Sequence, residues 1–177
     1  NDPGDRDGFW SVEIAIPWKV LSEHAHKPCP PMPGDQWRFN FSRVQWKHQV
    51  EQGVYRKVPD LREDNWVWSP QGIIDMHRPE RWGYVVFSGP GENPGFFRND
   101  PLREVRDALM TVYHQQRSFR RQHDRWAESL AELGLGAGDF RGRDPLPEIV
   151  LDDEGYSATL SRRVRGHGQV TMQVRQD

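Results

Sequence analysis

Arg38, Asn40 and Ser42 alternate along one short stretch of the chain, with Trp66 and Trp68 further on. Planar guanidinium and amide groups form paired hydrogen bonds to neighbouring hydroxyls. Indole rings offer flat apolar faces to C–H surfaces. Together these are the residue types that hold a sugar. Asp75, His77 and Glu80 would allow a carboxylate-driven hydrolysis, but Arg78-Pro79-Glu80 before Trp82-Gly83 reads better as a turn entering a strand. His24, His26 and Cys29 are metal-ligand types, yet their spacing matches no standard zinc pattern. No glycine-rich phosphate loop links a strand to a helix. Arg117, Arg120, Arg121 and Arg125 form a basic cluster suited to an acidic partner, or to a solvated face near a helix C-terminus. Trp37, Trp68 and Trp82 also fit a structural role as core aromatics, and Arg43 fits a buried partner for Glu13 or Glu80.

The elements that must position these groups follow from periodicity. Residues 9–16 alternate, with Trp10, Val12, Ile14 and Ile16 on one side, and predict a half-buried strand. Pro17 ends it, and 18–21 predict a helical turn. Residues 36–44 predict a second strand with Trp37, Phe39 and Phe41 inward and Arg38, Asn40 and Ser42 outward. Residues 47–64 read as a polar excursion. Residues 65–69 and 84–87 predict two more strands. A Gly/Pro linker at 90–98 separates this region, 1–89, from a tail at 99–177. In the tail, Asp100 and Pro101 open an amphipathic helix with Leu102, Val105, Leu109, Val112, Gln116 and Phe119 on one stripe, ending near Gln122. A helical turn at 127–133, a Gly/Pro loop at 134–147 and three short antiparallel strands at 149–151, 156–161 and 169–174 complete the expectation.

Composition narrows the function classes. The 177 residues carry 24 Lys+Arg against 26 Asp+Glu, a net charge of -2, without the basic excess that phosphate neutralisation requires, so nucleic acid is not an expected partner. No apolar run approaches the roughly 20 residues of a membrane-spanning helix. One cysteine excludes an intrachain disulfide. Region 1–89 holds 7 of the 8 Trp, which places the aromatic chemistry there.

Three blocks of that region, in order, resemble family 9 carbohydrate-binding modules: 10–18 (WSVEIAIPW), 34–43 (GDQWRFNFSR), and 68–70 with 76–83 (WSP, MHRPERWG). The resemblance covers about residues 8–87. It implies a mainly β chain: a partial β-sandwich whose front half lies before residue 1, followed by an α+β tail of one helix on a small sheet. It implies non-catalytic binding of a carbohydrate ligand, in carbohydrate catabolism outside the cytoplasm, either extracellular or in the periplasm or cell envelope. Any glycosidase activity would belong to an attached catalytic domain. The resemblance implies no cofactor here, since the family's calcium ligands lie in the front half. It places a sugar-clamping aromatic where Met76 stands, with the His77 imidazole beside it. The expected ligand-binding residues are therefore Arg38, Asn40, Ser42, Trp66, Met76 and His77. The tail, from Leu109 through Tyr113, Phe119 and Trp126 to Leu133, is similar to the helix-on-sheet pattern of type IV pilin-like proteins. That likeness supports an alternative: an interaction or envelope-assembly scaffold docking a protein through the tail.

Overall fold

A computed structural model describes residue 4 and residues 8–93, 97–153 and 155–176. Among these the chain is mostly strand, in small antiparallel sheets, with two α-helices. It divides into two compact units, Asn1–Arg98 and Asn99–Asp177.

Unit 1 opens with a short helix, α1 (Trp18–Ser22), and then carries six strands: β1 (Gln36–Phe39), β2 (Ser42–Gln45), β3 (His48–Glu51), β4 (Val54–Lys57), β5 (Asp64–Val67) and β6 (Gly83–Val86). They pair as three antiparallel two-stranded ribbons, β1 with β6, β2 with β5 and β3 with β4. The polar excursion expected at 47–64 is thus the far end of a long hairpin. Its tip is a two-residue turn in which Gln52 and Gly53 both have positive φ (51° and 75°). That is the twist-matched geometry for closing a hairpin. Both strands of this tip are exposed on both faces, so no apolar alternation marked them in the sequence.

The strand expected at 9–16 is corrected. These residues join no ladder among the described residues and are exposed along their whole length. Alternation supplies a face, but a strand also needs a neighbour to take its backbone hydrogen bonds. Trp10, Val12 and Ile14 are 59%, 63% and 67% exposed, so nothing covers the apolar side.

The strand expected at 36–44 is corrected to two, β1 and β2, which part at 40–41 because each pairs with a different neighbour; the apolar alternation runs on through both. Trp37, Phe39 and Phe41 stack in a row, with ring centroids 6.1 and 6.0 Å apart and planes within 10°. Trp18 and Phe87 meet Trp37 edge-on at 6.3 and 5.3 Å. Packing thins along the row. Trp37 is 7% exposed and Phe41 48%, and among the described residues Trp37 is the one buried apolar side chain of this unit.

Unit 2 has a true core. Helix α2 (Arg103–His123) lies on a sheet of β7 (Glu148–Asp152), β8 (Gly155–Val164) and β9 (Gly168–Arg175), ordered β7-β8-β9. The helix begins later than expected from Asp100 and Pro101: Leu102 is its N-cap, without a side-chain cap bond, and Asp100 Oδ1 accepts the Leu102 N–H just before the first turn. Asp124, in a left-handed conformation, ends the helix. Most of the expected stripe is the buried face: Val105, Leu109 and Val112, joined by Ala108, share a core with Tyr156, Ala158 and Leu160 of β8, Gln116 is buried on the same helix, and Leu102 and Phe119 at the ends are half-buried. Each large apolar side chain among these contributes about 1.5–3 kcal/mol by leaving water. Residues 127–133 are turns rather than a helical segment. They are held to α2 by Gln116, whose amide donates to the Ala127 carbonyl at 2.8 Å and accepts the Ala127 N–H at 2.9 Å.

No helix among the described residues is long and apolar enough to cross a membrane.

Candidate functional site

The aromatic row divides unit 1 into two faces, because side chains alternate along a strand. Arg38, Asn40 and Ser42 fall on the face opposite Trp37, Phe39 and Phe41.

Arg38 is held from two sides. It donates to the Trp82 carbonyl at 2.9 Å, and its guanidinium lies 4.3 Å from the centroid of Tyr84, its cross-strand partner. The Trp82 indole N–H in turn donates to the Met76 carbonyl at 2.8 Å. Arg38 and the loop carrying Met76 and His77 are therefore joined through Trp82. His77 is exposed and Met76 half-buried. Asn40 Oδ1 and Tyr84 Oη are shut off from solvent with no hydrogen-bond partner among the described residues. Buried polar atoms of this kind are scarce in folded proteins. Ser42 is exposed at the end of the run.

Trp66 does not flank these groups. It pairs across β2–β5 with Arg43, which puts it on the aromatic-row face. There the Arg43 guanidinium sits 4.6 Å from the Trp10 ring and 5.4 Å from the Trp66 ring. Arg43 hydrogen-bonds Gln45; it is exposed and makes no ion pair with Glu13 or Glu80. The two indoles are 59% and 49% exposed. Trp68 continues the face. Its ring meets Phe41 edge-on at 5.5 Å, and its N–H donates to the Phe39 carbonyl at 3.1 Å. Gly83 makes room for it: a Cβ there would lie 2.7 Å from the Trp68 ring.

Sequence reasoning thus missed Trp10 and Arg43. The available signal was parity. Residue 43 lies an even number of positions from 37, 39 and 41, so it shares their face. Only the pairing register brings Trp66 opposite it.

Asp75 of the Asp75, His77, Glu80 group is engaged within its own loop. Asp75 accepts the His77 N–H at 3.0 Å and the Arg78 Nε–H at 3.0 Å, while Glu80 is buried at 8% exposure. Cys29 donates to the Trp18 carbonyl at 3.2 Å. Among the described residues no three metal-ligating side chains cluster.

The Arg78 hydrogen bond, and after it the His77 N–H, hold the Asp75 carboxyl below the usual aspartate value. The folded loop therefore takes up the proton less readily than the unfolded chain. Its contribution is complete above the ordinary aspartate value and is lost as pH falls through the lowered one. Amide protection in residues 75–82, taken relative to intrinsic exchange at each pH, is expected to fall in that acid window in the native protein. Asp75→Asn is expected to flatten the dependence; an unchanged acid profile in the variant would show that Asp75 does not hold the loop.

Comparison with protein-family models, curated proteins and solved structures finds no match to this chain.

Proposed function

We propose that unit 1 is a non-catalytic carbohydrate-binding module that targets or senses a polysaccharide outside the cytoplasm. The arrangement of Trp10, Arg43 and Trp66 carries this reading. Two half-exposed indoles beside one guanidinium offer flat apolar surface for a sugar's C–H face and planar donors for its hydroxyls. The binding residues extend the expected set: Trp66 with Trp10 and Arg43 on one face, and Arg38, Asn40, Ser42, Met76 and His77 on the other. In this reading the ribbons of unit 1 form one layer of a β-sandwich, and the Trp10, Arg43 and Trp66 end of the aromatic-row face is left open to the sugar. Catalysis, if coupled to binding, belongs to an attached domain.

One observation favours a second reading, an interaction scaffold. Among the described residues, all the exposed large apolar side chains except Val150 and Leu151 lie in unit 1. Apolar surface on that scale is typical of faces that dock another protein. Calorimetric titration of the full chain with a panel of soluble oligosaccharides separates the two. Saturable binding of a neutral oligosaccharide supports the module. A folded chain that binds none across the panel overturns it in favour of the scaffold.

A further inference from the structure

Unit 2 contains a cavity of about 650 Å³ between the start of α2, the loop before β7 and the outer end of the β8–β9 hairpin. That volume lies in the roughly 300–1,000 Å³ range of small-molecule sites. Its lining is dominated by Arg143, Arg162, Arg163 and Arg165, against Glu104 and Asp144.

The cations differ in what they already do. Glu104 is occupied by Arg143 and, at 3.9 Å, by Arg141. Arg162 is fixed by backbone carbonyls, donating to Arg143 at 2.9 Å and to Pro145 at 3.2 Å. It ties the loop to β8, and no carboxylate offsets its charge. Arg163 and Arg165 are exposed and make no hydrogen bond or ion pair among the described residues. The cavity thus holds one fixed guanidinium and two unengaged ones; Glu104 is already paired and Asp144, in no ion pair among the described residues, is the remaining carboxylate, so the unpaired charge is still net positive.

We infer that this cavity binds a small polar molecule bearing a phosphate or sulfate monoester. Guanidinium forks match the oxygens of a tetrahedral oxyanion and form charge-assisted pairs with them. A bare oxyanion would fill little of the volume, so the ligand carries a body of about the size of a sugar ring. The site is independent of the carbohydrate surface of unit 1.

The test is calorimetric titration of the full chain, at low ionic strength, with glucose 6-phosphate, glucose 6-sulfate and glucose. Saturable binding of at least one ester is expected, weakening as salt rises. Which ester binds tighter identifies the anion. Arg163→Ala/Arg165→Ala is expected to weaken it at least ten-fold. Both side chains lie outside the core, so circular dichroism should be unchanged. Neither ester binding, glucose binding as tightly as its esters, or equal affinity in the variant would each overturn the site. Binding confined to long polyanions such as heparin or DNA would overturn it too, replacing a pocket with a diffuse basic surface.

Discussion

Gln116→Leu is expected to destabilise unit 2 by about 2–4 kcal/mol. Gln116 is completely buried, as is Ala127, the residue whose backbone it satisfies on both sides. Leucine fills nearly the same volume and recovers some burial energy, but it leaves an N–H and a carbonyl enclosed without partners. Each such group costs about 1–3 kcal/mol. Domains of this size are stable by only about 5–15 kcal/mol, so the loss is a large part of the whole. Urea titration followed by far-UV circular dichroism reads it directly, because α2 dominates the helical signal. Gln115→Leu is the control. That residue is exposed on the same helix and should shift stability by no more than about 0.5 kcal/mol. Equal midpoints for the two variants would mean that the turn after α2 does not depend on Gln116.

The same residue shows what could be read in advance. Gln116 falls on the 3.6-residue stripe of α2, a polar side chain at an apolar position, and its burial follows from that period. The alternation of Tyr156, Ala158 and Leu160 in β8 was legible for the same reason: in unit 2 each apolar face meets another. Unit 1 was less legible because its strands lack that match. Residues 9–16 have the alternation but no ladder, and β3–β4 have the ladder but no alternation. At 52–53 the only mark of the hairpin is one glycine after a residue that must also take positive φ. The candidate site suffered from a third gap. Alternation sorts Arg38, Asn40 and Ser42 onto one face, but nothing within the 64–67 segment says which of its faces they share. The cross-strand register decides that, and it moves Trp66 to Arg43 and Trp10.

Trp66→Ala is expected to weaken oligosaccharide binding about 3- to 10-fold while leaving the fold intact. The ring is half-exposed in the free protein, so its removal opens little cavity. A stacked sugar would cover the remaining half, and since fully burying a large apolar side chain is worth about 1.5–3 kcal/mol, half of that converts to this range of affinity. Arg38→Ala should behave in the opposite way. Its guanidinium joins β1 to the Trp82 carbonyl and packs on Tyr84, so its loss should cost about 1–2 kcal/mol of stability and loosen the loop around Met76 and His77. Where the folded fraction is held equal, it should alter affinity little. This pair of variants, one on β5 and one on β1, separates the two faces of the ribbons of unit 1. Loss in Trp66→Ala alone places the sugar against the indoles and Arg43. Loss in Arg38→Ala alone, with the protein folded, moves it to the face of Asn40, Ser42 and His77 and makes Trp66 part of the apolar inner surface. Affinity unchanged in both would remove sugar binding from unit 1 altogether. The exposed aromatics would then be what a protein partner covers, since indoles on this scale are not left to water without an occupant.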